Sequence, residues 1–265
     1  MHAFNYHRPA SSKDAVSLSS KNAEGRYLAG GQSLVQAMKL RLSSPTDLID
    51  LGTIKDLAGI KVSGSTVEIG AMTRHADVAA SAEVKKAIPA LAALAAMIGD
   101  RQVRHMGTLG GSLANNDPAA DYPAAALGLG ATITTNKRKI EADKFFTGLY
   151  ETALEPGELI TSVSFPAPKR AAYMKFKNPA SRFAIVGVFV ADFSGKVRVG
   201  VTGAGPSAFR QADMEKALSA KFAPESVANM KVKADGLNND LHASPEYRAH
   251  LVTVMAKRAV EAALK

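Results

Sequence analysis

Two glycine pairs carry the clearest chemistry in this sequence: Ala29-Gly30-Gly31-Gln32-Ser33-Leu34 and Thr108-Leu109-Gly110-Gly111-Ser112-Leu113. Glycine reaches positive φ and lets a backbone approach a ligand with no Cβ in the way. A row of free N–H groups at such a turn forms a concave site for an anion, usually phosphate. Taken singly, each pair is compatible with a plain tight turn. Two such turns with different continuations predict a diphosphate held from two sides.

Other candidate constellations are weaker. Asp117 and Asp121 lie four apart and resemble an acid/base pair, but Asp117-Pro118 matches a helix start, with aspartate as cap and proline at the first helical position. Gly203-Ala204-Gly205-Pro206-Ser207-Ala208 mimics a dinucleotide fingerprint, yet no second strand ending in an acidic residue follows, so a sheet-to-helix turn is expected. The six histidines show no metal-ligand spacing, and the absence of cysteine excludes disulfides, thiolate zinc sites, a catalytic thiol and any iron–sulfur cluster bound by this chain alone.

The 265 residues allow one large domain or two modest ones, and 46% hydrophobic with 22% charged residues is ordinary globular composition. No apolar run spans a bilayer and no apolar leader opens the chain, so a soluble, cytoplasmic protein is expected. The net charge of +9 is compatible with nucleic acid, an acidic partner or an anionic cofactor. Its longest basic cluster, Lys137-Arg138-Lys139, falls at an expected solvated hairpin tip without interleaved aromatics, which argues against nucleic acid.

The elements that must position the glycine turns follow from periodicity. A short strand at Tyr27 to Ala29 runs into the first turn, and Ser33 is the expected cap of a helix bearing Leu34, Met38 and Leu42. Strands are expected at 48–51, 60–62 and 66–70, with Thr73 capping a short helix and an alanine- and leucine-rich helix from Pro89 to Ile98. A hairpin at 131–142 and a strand at 159–165 follow. Beyond Pro166 to Arg170 the character changes to an antiparallel meander at 173–177, 183–193 and 196–202, then helices near 213–220 and 245–264. The expected fold class is α+β, with a ligand-binding unit over 1–168 (subdomains about 1–52 and 53–168) and a sheet-plus-helix unit over 169–265.

Four stretches together resemble the FAD-binding (medium) subunit of molybdenum hydroxylases, the carbon monoxide dehydrogenase and xanthine dehydrogenase type. These are Phe4 to Pro9, Ala29 to Leu34, Thr108 to Ala120 with Asp121-Tyr122-Pro123, and Phe183-Ala184-Ile185-Val186-Gly187. The resemblance runs in order over nearly the whole chain, and Asp117-Pro118-Ala119-Ala120-Asp121 is its most specific part. It implies a p-cresol methylhydroxylase-type FAD-binding fold of two α+β subdomains, followed by a C-terminal antiparallel sheet-plus-helix domain. By position, Ala29, Gly30, Gly31, Gln32, Ser33 and Leu34 and Thr108, Leu109, Gly110, Gly111 and Ser112 would contact the FAD pyrophosphate, chiefly through N–H groups. Asp117, counted with the cofactor-binding positions, would cap its helix, and Asp121 would accept hydrogen bonds from the ribose or adenine end. Ile98 and Ile160 would pack on the cofactor, Lys177 would lie near the flavin and Phe183 against its ring. Gln32 and Asn115 stand where relatives often have histidine, which leaves the backbone donors intact.

The implied activity is electron transfer. Molybdopterin would sit on a large partner chain and 2Fe-2S clusters on a small one, in a heterotrimer or a dimer of heterotrimers, and FAD here would pass electrons to NAD, oxygen or a quinone-linked acceptor. No residue of this chain need be a nucleophile. Two other readings stay open: a free-standing flavin oxidase, and a scaffold subunit without cofactor.

Overall fold

A computed structural model describes residues 1–265. The chain opens with β1 (Asn5–His7), α1 (Ser12–Lys21), β2 (Arg26–Leu28), α2 (Leu34–Lys39) and β3 (Asp47–Asp50). The strands pair in the order β1-β3-β2, all parallel. Helical crossovers permit that arrangement, since parallel neighbours cannot be joined by a tight turn. Ser11 caps α1 by accepting from the Asp14 amide at 3.1 Å. Ala15, Ile49, Leu51, Ile54 and Leu57 close a small core that Leu159 completes.

The next stretch holds β4 (Ile60–Ser63), β5 (Thr66–Gly70), α3 (His75–Ala80), α4 (Ala82–Ala87), α5 (Pro89–Ala96), α6 (Arg101–Met106), α7 (Leu109–Asn115) and α8 (Tyr122–Leu129). It continues with β6 (Thr132–Thr135), β7 (Lys139–Glu141), the small hairpin β8 (Phe146–Gly148) and β9 (Glu151–Thr152), and β10 (Ile160–Pro166). Five of these strands form an antiparallel sheet ordered β4-β5-β10-β6-β7.

The chain leaves that sheet at Pro166 and enters another at Arg170. Strands β11 (Arg170–Lys177), β12 (Ala184–Phe193), β13 (Lys196–Thr202) and β14 (Phe209–Arg210) form an antiparallel sheet in chain order, with α9 (Ala212–Ala220), α10 (Glu225–Ala228) and α11 (Pro245–Ala263) packed beside it. Strand β12 is buried almost throughout because both faces are covered. Phe189 and Ala191 join the core shared with α8, whereas Val186, Val188 and Val190 join Leu251, Val252 and Met255 of α11. This is the period-two alternation of a strand with two apolar faces. All eight residues of α8 are buried. A Cβ on Gly200 would lie 2.9 Å from the Gly128 nitrogen, so glycine at this crossing lets helix and strand approach backbone to backbone.

The structure corrects several local expectations. Ser33 makes no capping bond, and α2 ends at Lys39, which leaves Leu42 79% exposed. Thr73 exchanges hydrogen bonds with Gly59 rather than capping α3, whose cap position is Arg74. No helix starts at Pro118. Asp117 accepts from the Ala119 amide at 2.9 Å, a local turn, and α8 begins at Tyr122. Helix α6 was not foreseen, and the second glycine pair lies inside α7 rather than in a turn. Arg138 at the β6–β7 tip is not merely solvated, since its Nε donates to Glu158 at 3.1 Å.

Candidate functional site

The two glycine segments touch. A Cβ on Gly30 would meet the Met106 carbonyl group, 2.6 Å from its carbon, and would lie 2.7 Å from Gly107 Cα. A Cβ on Gly111 would lie 3.4 Å from Ala29 Cβ. Gly31 adopts φ +72°, a left-handed conformation that glycine enters without strain. The N–H groups of Ala29, Gly30, Gly31, Gln32 and Ser33 meet no protein acceptor. Ala29 to Gln32 are half-buried and Ser33 is exposed, and half-buried amides left unpaired cost free energy unless a ligand or water takes them. This turn therefore has the donor set and the open backbone that a phosphate group requires.

The second segment works differently from the sequence expectation. The Leu109 amide donates to Thr73 O at 3.0 Å and Gly110 to Ala71 O at 2.8 Å. Gly111 donates to Thr108 Oγ1 at 3.2 Å, and Ser112 to Thr108 O at 3.0 Å. Four of the five expected phosphate donors are thus committed to anchoring and capping α7. The Thr108 amide and the Ser112 hydroxyl stay uncommitted. Gly110 lacks a Cβ for clearance against Ala71, whose Cβ would be 2.6 Å away, whereas Gly111 presents a flat face to the first turn.

Asp121 has an unforeseen set of partners. Its carboxylate is buried, accepting from Tyr173 Oη at 2.5 Å and from Lys175 Nζ at 2.9 Å. Burial pushes the carboxyl upward, opposed by the Lys175 ammonium and the Tyr173 hydroxyl, and burial drives the Tyr173 phenol well above its ordinary value. Both oxygens of Asp121 therefore serve side chains of β11, beside the ribose or adenine contact expected of it. Lys175 also donates to Met97 O at 3.1 Å, next to Ile98. Ile98 itself is half-buried at the end of α5, and Arg104 Nη1 donates to its carbonyl at 2.9 Å.

The remaining candidates scatter. Ile160 is buried in the main core at 4% exposure. Lys177 is exposed at the end of β11, past a register shift between Phe176 and Lys177. Phe183 is 48% exposed, so it is not core. It lines a cavity of about 430 Å³ together with Asp117, Tyr150, Asn178, Asn238 and Arg248. Arg248 is itself buried, donating to the carbonyls of Ile185 and Gly203, with Nε unpartnered. The site thus brings Ala29 to Ser33 together with Gly111, while Phe183 and Asp117 share a separate cavity. Sequence reasoning missed Tyr173 and Lys175. The available signal was a lysine at an inward position of a strand, two residues from an equally buried tyrosine.

The family profile described as "FAD binding domain in molybdopterin dehydrogenase" matches residues 2–168. The carbon monoxide dehydrogenase medium chain of Hydrogenophaga pseudoflava is 35% identical, over 98% of this chain and 96% of its own length. The nicotine 6-hydroxylase medium subunit of Paenarthrobacter nicotinovorans is also 35% identical, over 97% of this chain and 96% of its length. Among solved structures, reconstituted CO dehydrogenase from Oligotropha carboxidovorans superposes with a TM-score of 0.91 at 35% identity, covering 99% of this chain and 98% of that one.

The chain belongs to the FAD-binding subunits of the molybdopterin dehydrogenases. It carries an FAD-binding domain, and its relatives are subunits of oxidoreductases. The expected fold class holds: quinoline 2-oxidoreductase from Pseudomonas putida 86 shares it as well, with a TM-score of 0.89 at 28% identity over 99% of this chain. The unpaired amides of 29–33 fit the diphosphate of FAD, while the missing Cβ atoms of Gly30 and Gly111 let the two segments pack against each other. No helix is long and apolar enough to cross a membrane, and no group of three or more His, Asp or Glu side chains could hold a metal ion.

Proposed function

We propose that this chain is the flavin-bearing electron-transfer subunit of a molybdopterin-dependent hydroxylase. The observation that carries it is the row of unpaired amides from Ala29 to Ser33, with Gly111 packed against Ala29 beside it. Those amides and the Ser112 hydroxyl would hold the pyrophosphate of FAD. Residues 1–168 would form the cofactor domain, with subdomains meeting near residue 52, and 169–265 would close over it. Ile98 and Phe183 would bound the ring, and Lys177 would place positive charge near it. FAD, when bound, supplies the redox chemistry; this chain binds, orients and tunes it.

Molybdopterin and 2Fe-2S clusters would reside on a large and a small partner subunit, as the medium-subunit names of the relatives suggest. Electrons would leave for NAD, oxygen or a quinone-linked acceptor. The test is to purify the chain with its native partners and measure flavin, molybdenum and iron, then precipitate with acid. FAD released into the supernatant, together with molybdenum and iron in the complex, is the expected result. Flavin retained covalently on the pellet would favour a free-standing oxidase, and a colourless complex would favour a scaffold.

A further inference from the structure

Resting on the flavin assignment above, we infer that Lys175 is a positioning residue for the cofactor: its buried ammonium, neutralised by Asp121, holds the carbonyl of Met97 and so sets where Ile98 stands beside the ring. The Lys175 side chain is 2% exposed and that of Asp121 4%. An ammonium in such a place carries a large desolvation cost unless it is paired, and apolar replacements of buried ion pairs are often at least as stable. Net stability is therefore a poor reason for this pair. Placement is a better one.

The geometry is directional. Met97 is the C-cap of α5, where helix carbonyls lack intrahelical donors. Lys175 Nζ takes the carbonyl of Met97 at 3.1 Å. Arg104 Nη1 takes those of Ile98 at 2.9 Å and Gly99 at 3.2 Å, and Arg182 Nη1 reaches Gly99 O at 3.5 Å. Three successive carbonyls around Ile98 thus each end on a cation. Arg104 comes from the same unit as Ile98. Lys175 and Arg182 come from β11 and the loop after it, the segment that also carries Lys177 and Phe183.

Ile98 and the stretch that carries Lys177 and Phe183, well separated in the sequence, are in this way locked into one frame. Tyr173 completes the lock by donating to the other Asp121 oxygen, which leaves the carboxylate fixed at both ends. A tether serving only to hold two units together could end anywhere along their seam. This one ends on the peptide that carries the ring contact.

The test uses the full chain loaded with FAD, comparing wild type, Lys175→Met, Lys175→Arg and the double variant Asp121→Asn/Lys175→Met. Flavin affinity is read by fluorescence quenching, ring environment by the visible circular dichroism of bound flavin, and fold by thermal melting. Lys175→Met is expected to bind FAD roughly tenfold more weakly with an altered visible band. The double variant should recover the melting temperature, because no buried charge is left alone, yet keep the altered band. Lys175→Arg should restore the band.

A wild-type band and affinity in Lys175→Met, or in the double variant if the single one does not fold, overturns the inference. An FAD analogue lacking the 2′-hydroxyl of the adenosine ribose gives the complementary reading. Equal binding of FAD and analogue by wild type supports the clamp. A loss in wild type that vanishes in Asp121→Asn returns Asp121 to the ribose and overturns it. Failure of the wild-type chain to bind FAD at all would appear before any variant is compared, and would overturn the flavin assignment itself.

Discussion

Replacing Gly30 with alanine perturbs the cradle at its tightest point. The added Cβ would lie 2.6 Å from the Met106 carbonyl carbon and 2.7 Å from Gly107 Cα, against ordinary contacts that begin at 3.4 Å. The deficits are 0.8 and 0.7 Å, and both obstacles are backbone atoms that no rotamer change removes. The Met106 carbonyl oxygen is a closer obstacle still, so the two segments must separate by more than about 0.8 Å, at an overpacking cost of about 1–3 kcal/mol. A shift of that size stretches a hydrogen bond of about 2.9 Å beyond its useful range.

Each amide bond to a phosphate oxygen contributes about 1.5–3 kcal/mol. Losing two of them predicts a loss of about 3–6 kcal/mol, or on the order of 10²- to 10⁴-fold in Kd. Gly31→Ala should cost less. Its positive φ adds about 1–2 kcal/mol of strain, but its Cβ meets only the movable Val35 side chain at 2.9 Å. The assay is FAD titration by fluorescence quenching, with melting curves to confirm that each variant is folded. A folded Gly30→Ala variant that binds FAD within threefold of wild type, or less affected than Gly31→Ala, refutes the reasoning.

Three further outcomes are expected. Lys177→Met should lower the flavin midpoint potential, because positive charge favours the anionic reduced form; a ~1 kcal/mol interaction corresponds to about 20 mV for two electrons, and an unchanged redox titration removes the role. Burial holds His75 down at about 4, aided by Arg104, so the unfolded chain binds the proton first. Stability is then complete above pH 6.5 and declines as pH falls towards 4, and NMR should show a His75 ring that does not titrate above pH 5. Glu158 is held down at about 2 by Arg138, the Glu155 amide and Thr135, against the opposing effect of burial. Its contribution is present above about pH 4.5 and lost as pH falls towards 2. Urea melts at pH 3 and pH 6 should differ less in Glu158→Gln than in wild type.

Much of the architecture was legible because it follows local rules. The β4–β5 and β6–β7 hairpins, the long strands β12 and β13 and the proline-led helix α11 all carry short-range signals of alternation, turn chemistry or capping. The break in character near Pro166 marks where the chain changes sheets. Helix α6 escaped because a six-residue segment with three basic side chains has no buried residue and so no apolar stripe to reveal it. Ser33 and Asp117 have cap-forming side chains, but the neighbouring backbone conformations determine whether those oxygens reach an amide. At Asp117 the chain closes a two-residue turn instead.

The sequence by itself determined that two glycine pairs, an ordinary globular composition and an order of elements were present, because each is read from residue types and their neighbours. It did not distinguish the purposes of the glycines. Gly30 clears Met106, Gly110 clears Ala71 and Gly111 faces Ala29, and those contacts join segments about 80 residues apart or separate elements of the fold. The same holds for Asp121 and Lys175. A carboxylate and an ammonium 54 positions apart become a buried pair only when α8 packs across the C-terminal sheet. Burial then excludes water, which is the tertiary condition that makes their charge and their geometry matter.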